Sequence, residues 1–229
     1  IQEVTTIIDR LGGGVVHAIG TGGRDLSDKV GAITVKDAIV ALENHEPTDV
    51  ICVISKPPAK EVRDEVVQLL QSISKPVVAI FLGEKPEAHE GKVYLAHTLE
   101  ETAQIAVDLA NEEAVKRNYF TKLDKPNVST LDKDKVVKGL YSGGTLAAEA
   151  GMLISEALNL EGLVKQEGYI LHSHGYDVID LGDDIYTQGK PHPMIDPEVR
   201  IQKIEEYAED EQTGIILFDV VLGYGAHED

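Results

Sequence analysis

The sequence predicts an α/β protein with two tandem parallel-sheet domains, each of them incomplete within these 229 residues. One supporting observation is a repeat, because a loop rich in Gly and Asp follows an apolar run at Gly20–Asp25 and again at Leu181–Asp184. A helix-like stretch and a second apolar run follow each loop, so the whole context recurs. The other observation is the alternation of short apolar runs with amphipathic stretches of ten or more residues, which is typical of βαβ units.

The first domain is predicted to cover residues 1–112. Its helices have apolar residues at helical spacing, and its strands are short runs of Val, Ile and Leu bounded by Gly or Pro. Thr34 and Thr98 are the expected N-caps of two helices. In chain order we predict a helix at 1–11, strands at 15–19 and 50–55 with a helix at 34–42 between them, a helix at 61–74, strands at 77–82 and 93–96, and a helix at 98–111.

Residues 113–134 are predicted to be a linker, because they contain Pro126 and scattered charges without any period. The second domain is predicted to cover residues 135–229. Asp196 is the expected N-cap of a helix that has Pro197 at its first position. In chain order we predict a strand at 136–141, a helix at 146–158, a strand at 176–179, a helix at 201–208 and a strand at 215–221.

The two copies of the repeat differ in what they contain. The second copy has an opening strand and a Ser-Gly-Gly-Thr loop before its helix, whereas the first copy starts at the matching helix. The first copy continues past the loop at which the second stops. A parallel sheet that ended there would have an unpaired edge and an uncovered face. We therefore expect these residues to be a window from a longer chain, or its ends to be disordered.

Composition narrows the classes of partner. Apolar residues make up 42% of the chain and Trp is absent, so the core must consist of Val, Ile, Leu and Ala, as in buried parallel strands. The net charge of −19 repels phosphate backbones, so we expect neither nucleic acid nor an anionic membrane as a partner. Cys52 is the single cysteine and is expected to be a small buried hydrophobe. We see no signal peptide or membrane span, and the lack of an intrachain disulfide fits the cytoplasm.

The expected site is the rim beyond the carboxyl ends of the strands, where open parallel sheets bind ligands. Ser142, Gly143, Gly144 and Thr145 form a glycine loop that turns directly into a helix. The N–H groups at a helix N-terminus favour an anion such as phosphate or carboxylate. The alternative is a plain tight turn. A Walker loop is excluded, because no Gly-Lys-Ser/Thr follows.

Gly22, Gly23, Arg24 and Asp25 offer a second candidate on the rim. Glycine N–H groups and the Arg24 guanidinium could hold a carboxylate or phosphate, and the alternative is a surface pair between Arg24 and Asp25. Asp183 and Asp184 could supply a base or a cation ligand. Adjacent carboxylates usually point apart, so we expect them to cap a turn and predict no metal site.

His192 is the candidate acid, base or positioning residue. Two prolines stiffen the segment around it, Gly189–Pro197, and they could equally serve only to shape the entry into the next helix. His17 is expected to face the core or the rim. His172 and His174 form a short His-x-His that is too weak for a metal site by itself.

At these loops the sequence resembles the FdrA proteins, which are relatives of the succinyl-CoA synthetase α subunit. The resemblance implies flavodoxin-like, succinyl-CoA synthetase-like domains in tandem, following a CoA-binding domain that we do not expect among these residues. The stretches that carry it are His17–Ser27, Ile54–Pro58, Leu140–Leu146, Gly189–Pro197 and Asp219–His227.

The ligase relation implies acyl-CoA chemistry through a phosphohistidine in a Gly-His-Ala-Gly loop. Here that region, Gly83–Gly91, places His89 between Glu87 and Glu90, whose carboxylates would repel a phosphoryl group. FdrA proteins are also associated with purine and allantoin breakdown, as a subunit of an oxamate carbamoyltransferase. Carbamoyl transfer needs anion-binding loops and a stabilised oxyanion rather than a phosphohistidine.

The leading hypothesis is therefore an FdrA-type protein that transfers acyl or carbamoyl groups together with partner subunits. Ser142–Thr145 and Gly22–Arg24 would bind a small anionic substrate such as carbamoyl phosphate, oxamate or acyl-CoA, and His192 and Arg24 would be catalytic. The alternatives are an NDP-forming acyl-CoA synthetase and a non-catalytic ligand-binding or scaffold subunit. The resemblance makes CoA and nucleotides the candidate cofactors.

Overall fold

A computed structural model describes residues 1–115, 134–160 and 167–228. The chain forms two compact units that divide between residues 123 and 124. Both are layered α/β structures with parallel strands, which confirms the predicted fold class. The predicted linker lies largely outside the described residues, so the proposed domain bounds stay a prediction. No helix among the described residues is long and apolar enough to cross a membrane.

The first unit is a three-stranded parallel sheet between two layers of helices. The strand order is β1-β2-β3, and β2 is buried along its whole length. Helices α2 and α3 pack on one face with Val35, Ile39 and Leu70, while α4 contacts the strands and packs against α1. Its elements are α1 (Gln2–Arg10), α2 (Ile33–Glu43), β1 (Ile51–Ser55), α3 (Lys60–Ser72), β2 (Val77–Phe81), β3 (Val93–Ala96) and α4 (Leu99–Ala110).

One local expectation for the first unit is confirmed, and a second holds in part. The Thr98 hydroxyl accepts the Glu101 N–H at 3.1 Å, so it is the predicted N-cap of α4. Cys52 lies in β1 and is half-buried rather than buried, yet desolvation raises the pKa of its thiol to about 12. The thiol therefore stays protonated at neutral pH, as expected for a cysteine that acts as a small hydrophobe.

Two other expectations for the first unit are wrong. Residues 15–19 are irregular and exposed instead of forming a strand, and His17 is exposed with them. Helix α2 begins at Ile33 rather than after a Thr34 cap. The Asp25 carboxylate caps it instead, accepting the N–H groups of Thr34 at 3.1 Å and Val35 at 2.9 Å.

The second unit has a four-stranded sheet in the order β5-β6-β4-β7. The strands β6, β4 and β7 are parallel, and β4 lies between the other two. Leu140, Ile179 and Leu181 are fully buried at its centre. Its elements are β4 (Val136–Tyr141), α5 (Gly144–Leu158), β5 (Tyr169–Ser173), β6 (Tyr176–Asp180), α6 (Asp184–Thr187), α7 (Glu198–Glu209) and β7 (Thr213–Phe218).

The sequence did not predict β5, which pairs antiparallel with β6. A tight turn joins the two strands, in which His174 and Gly175 both have positive φ, at 51° and 84°. An antiparallel neighbour needs only such a short turn, so the regular alternation of strand and helix breaks here. Helix α7 begins at Glu198, one residue after the predicted first position Pro197, and the Asp196 carboxylate accepts the Glu198 N–H at 3.1 Å.

The second unit also has a network of buried charged and polar side chains, which lies away from the carboxyl ends of the strands. The Asp177 carboxylate accepts hydrogen bonds from Lys138 Nζ at 2.7 Å and from the Tyr207 hydroxyl at 3.1 Å. His172 Nδ1 lies 2.6 Å from the same carboxylate. Burial, followed by the charge of Asp177, raises the pKa of Tyr207 well above its usual range. Three partners thus satisfy a carboxylate that would be costly to bury alone.

Candidate functional site

The carboxyl ends of three strands lie side by side in the second unit and form the rim where we expected the site. Because β4 is central, Tyr141 is in register with Asp180 of β6, and Leu140 with Phe218 of β7. The loop that starts at Ser142 therefore lies between the loops that follow β6 and β7. This edge of the sheet is where α/β folds usually bind ligands.

Asp219, the first residue after β7, occupies the centre of this rim. Its carboxylate accepts the N–H of Ser142 at 2.7 Å and the N–H of Gly143 at 2.8 Å, and the residue is 7% exposed. The amino end of α5, with its partial positive charge, favours a carboxylate in this place. Two N–H groups that we predicted to bind a substrate anion thus already have an anionic partner within the protein.

Arg200, from the first turn of α7, binds the same carboxylate. Its Nη1 donates to the Asp219 backbone oxygen at 2.7 Å and lies 3.4 Å from Asp219 Oδ1. The same nitrogen donates to the Ser142 hydroxyl at 3.1 Å, and the Arg200 side chain is 18% exposed. The guanidinium balances the buried carboxylate and fixes the Ser142 hydroxyl at the amino end of α5.

His192 reaches the rim from the loop between α6 and α7. Its Nδ1 accepts the Met194 N–H at 3.2 Å, which places the proton of the neutral ring on Nε2. A Cβ atom added to Gly182 would lie 2.7 Å from His192 Nε2 and 2.7 Å from the Ser142 backbone oxygen. Gly182 thus lets the imidazole approach the strand ends, and the structure brings His192 to the predicted glycine loop.

The remaining predicted residues of the second unit have local roles. Gly144 and Thr145 are the first two residues of α5, so their N–H groups lack acceptors within the helix. Asp183 accepts the Ile185 N–H at 3.1 Å and is the N-cap of the short helix α6. Asp184 is the exposed first residue of α6. The two adjacent carboxylates therefore have separate positions, as expected.

In the first unit, Gly22, Gly23 and Arg24 lie in an exposed turn, while Asp25 is only 5% exposed. Burial alone would raise the pKa of Asp25, but the hydrogen bonds from Val35 and Thr34 outweigh it and lower the pKa below its ordinary value of 3.8. Arg24 lies in the first unit, whereas Ser142 and His192 lie in the second.

In the loop that follows β2, the charges around His89 differ from what the sequence led us to expect. Arg63 Nη2 binds Glu90 at 2.6 Å and Glu84 at 2.9 Å, which ties the two ends of this loop to α3. His89 Nδ1 accepts the Leu95 N–H at 3.1 Å. The Glu90 charge that we expected to repel a phosphoryl group is therefore balanced by Arg63.

Sequence reasoning missed Asp219, Arg200 and Asp180. Asp180 is 3% exposed and accepts the Gly182 N–H at 3.0 Å, which shapes the loop after β6. Asp180 and Asp219 each stand at the carboxyl end of a strand or just after it, and that position was an available signal. Arg200 carried no comparable signal, because an arginine in the first turn of a helix is usually a surface residue.

Comparison with known proteins supports a ligase-like scaffold. Residues 140–229 match the family model described as CoA-ligase, and residues 1–83 match the one described as CoA binding domain. The chain therefore carries CoA-binding and CoA-ligase regions of the succinyl-CoA synthetase type, and its α/β fold is consistent with that flavodoxin-like class. The match over residues 1–83 corrects our expectation that a CoA-binding domain would be missing.

The chain is also similar to a curated protein of Escherichia coli (strain K12) with the name "Uncharacterized protein YahF". The two are 38% identical over 241 aligned residues, which include 100% of this chain and 46% of that protein. The chain thus spans about half the length of the curated relative that it matches. Together with the two family models, this similarity supports the CoA-ligase-like class.

Proposed function

We propose that the chain is part of an FdrA-type group transferase, in which the rim of the second unit binds a small anionic substrate and transfers a carbamoyl or acyl group. The supporting observation is that Ser142 and Arg200 bind Asp219 while His192 lies across Gly182 from the Ser142 backbone oxygen, within the residues that match the CoA-ligase model. Carbamoyl phosphate and oxamate are the substrates that fit this proposal.

Arg200 would bind the anion of the substrate. The bonds that it makes to the described residues of the second unit all come from Nη1, so Nε and Nη2 remain as donors. The N–H groups of Gly144 and Thr145 at the amino end of α5 would supply further donors. Asp219 keeps the guanidinium in place without using these groups.

His192 would act as a hydrogen-bond donor rather than as a base, because its Nδ1 is used by Met194 and its Nε2 carries the proton. In carbamoyl transfer the acceptor attacks the carbonyl carbon, negative charge develops on the carbonyl oxygen, and phosphate leaves. A donor at His192 Nε2 would stabilise that oxyanion by a hydrogen bond.

The second candidate is an NDP-forming acyl-CoA synthetase, which the CoA-binding match over residues 1–83 favours. CoA and a nucleotide would then be the cofactors. The candidate from another class is a non-catalytic subunit. It is favoured by Asp219, which already uses the N–H groups of Ser142 and Gly143 that a phosphate would otherwise bind.

Thermal-shift titration with carbamoyl phosphate, oxamate, CoA and ATP separates these functions. A ligand at 100 times its Kd stabilises the folded state by about 2.7 kcal/mol. We expect a shift with carbamoyl phosphate or oxamate, its loss in Arg200→Ala, and its retention in Lys203→Gln, a matched change in the same helix. Circular dichroism would verify that both variants fold.

Other results would overturn the proposal. A shift with CoA and ATP alone would replace carbamoyl transfer by acyl-CoA synthesis. The absence of a shift with any of the four ligands would favour the non-catalytic subunit. In the reconstituted complex, unchanged turnover of His192→Gln would remove His192 from the site.

A further inference from the structure

Two polar side chains attach helix α7 to the sheet of the second unit, one at each half of the helix. Arg200 binds Asp219 just after β7, and the Tyr207 hydroxyl donates to Asp177 of β6 at 3.1 Å. The two residues are seven apart in the chain, so they lie about 10.5 Å apart along the helix axis and point in nearly the same direction. Helix α7 is therefore attached to two different strands, at the rim and away from it.

Between these two attachments α7 contacts the sheet through apolar side chains. Val199 and Ile204 pack against the cluster that contains Leu140 and Ile179. Such contacts are not directional, so a small rotation or slide of the helix weakens them little. Hydrogen bonds, in contrast, weaken steeply when their angle or length changes. The polar attachments therefore decide how the helix is placed.

The attachment through Tyr207 consists of buried groups that satisfy one another. Lys138 Nζ and the Tyr207 hydroxyl both bind Asp177 Oδ2, and the ammonium lies 4.7 Å from the centre of the Tyr207 ring. Lys138, Asp177 and Tyr207 are 6%, 5% and 6% exposed. Burial, followed by the charge of Asp177, raises the pKa of Tyr207, so the hydroxyl remains a hydrogen-bond donor at physiological pH.

Stability alone is a weak reason for such a network. Taking two charges out of water offsets much of their attraction, and apolar residues of similar volume often fold as well or better. What buried hydrogen-bonded groups add is a preference for one geometry, because other geometries leave them without partners. Since Tyr207 belongs to α7 and Asp177 to β6, the geometry that this network favours is the position of α7 on the sheet.

We propose that Tyr207 is a positioning residue for Arg200, and that its bond to Asp177 fixes where α7 holds the Arg200 guanidinium at the rim. This role rests on the proposed function, in which Arg200 Nε and Nη2 bind the anion of the substrate. Without the Tyr207 bond, α7 can pivot about its attachment to Asp219. A displacement of about 1 Å is enough to weaken the contact between a guanidinium and a bound anion.

Tyr207→Phe in the full chain tests this role. It removes only the hydroxyl, and Asp177 keeps Lys138 and His172 as partners, so the variant should fold. Tyr176→Phe is the matched control, because it removes a hydroxyl from the residue next to Asp177 on the opposite face of β6. Circular dichroism and urea denaturation would verify that both variants are folded.

Two measurements compare these variants with the wild type. One is the Nε–H signal of Arg200 in proton–nitrogen correlation NMR spectra, assigned with Arg200→Lys. We expect Tyr207→Phe to shift or broaden this signal and Tyr176→Phe to leave it in place. The other is the Kd of carbamoyl phosphate or oxamate, which we expect Tyr207→Phe to raise about tenfold and Tyr176→Phe to leave unchanged.

A further variant separates position from stability. The triple change Lys138→Met, Asp177→Leu and Tyr207→Phe replaces the network by apolar side chains. Its unfolding midpoint in urea should be close to that of the wild type or above it. The Arg200 signal should nevertheless move, because α7 has lost its second polar attachment.

Two results would overturn the positioning role. One is an Arg200 signal that stays in place in either folded variant of the network, and the other is an unchanged Kd in Tyr207→Phe for a ligand that the wild type binds. If the wild type binds none of the four ligands, the proposed function fails. The Arg200 signal then still decides whether Tyr207 positions that side chain.

Discussion

Residues 15–19 and strand β6 are counterparts in the repeat, yet their environments are opposite. Val178 and Ile179 of β6 are fully buried, whereas Val15 and Ile19 each expose 44% of their area. Both segments are short apolar runs that end in a loop with Gly and Asp. The difference is that β4 lies beside β6, while residues 15–19 face a cavity. An apolar run becomes a strand only when a neighbour takes up its backbone hydrogen bonds.

The capping carboxylates give a second contrast between the units. Asp25 accepts the N–H groups of Thr34 and Val35 at the start of α2. Asp219 accepts two N–H groups at the amino end of α5 and also binds Arg200. The first is a helix cap, and the second holds together the rim that we propose as the active site.

The largest expected effect is that of Asp219→Ala, which removes the partner of Arg200 and of two buried N–H groups. Breaking a buried pair in this way costs about 3 kcal/mol or more. The loss of stability should make amide hydrogen exchange faster in residues 134–160 and 167–228 but not in residues 1–115. An equal loss in both units would show that the two do not unfold independently.

Gly182→Ala should have the next largest effect, because its Cβ would lie 2.7 Å from both His192 Nε2 and the Ser142 oxygen. Overpacking of this kind costs about 2 kcal/mol. Gly20→Ala, in the matching loop of the first unit, is the control, because an added Cβ meets no atom within 4 Å. Urea denaturation would compare the unfolding midpoints of the two variants. Equal midpoints would contradict the proximity of His192 to Gly182.

Asp25→Ala should destabilise the first unit by about 1 kcal/mol, the usual cost of losing a helix cap. The loss should be smaller than that of Asp219→Ala, because Asp219 also binds the partly buried Arg200. Amide hydrogen-exchange rates of residues 33–43 would measure this loss of stability. A loss as large as that of Asp219→Ala would mean that Asp25 does more than cap α2.

The smallest expected effect is the pH dependence of the stability of the first unit. The folded state lowers the pKa of Asp25 below 3.8, so the carboxylate contributes stability above the unfolded pKa, and this contribution disappears as the pH falls through the folded pKa. The stability difference between the wild type and Asp25→Asn should therefore be constant from pH 7 to about pH 5 and shrink below pH 4. A stability difference between wild type and Asp25→Asn that grows as the pH falls would contradict the lowered pKa of Asp25.

Local patterns were sufficient for much of the fold. Helical spacing predicted α1, α3 and α4, and Thr98 was correctly identified as a cap, because both signals lie within a few residues of the chain. The positions of Ser142 and His192 at one edge also followed from the rule that parallel strands end together. Strand β5 was missed, because a short turn with His174 in a left-handed conformation has no strong sequence signal.

By itself, the sequence determined the α/β class, the repeat and the loops that follow the strands, because periodicity and turn residues act over short stretches of chain. Only the tertiary structure decided which carboxylate meets which N–H group. Asp219 and Ser142 are 77 residues apart, and Arg200 and Ser142 are 58 apart. Such contacts depend on strand order. Strand order also leaves residues 15–19 beside a cavity while burying β6, since a sheet pairs strands that are distant in the sequence.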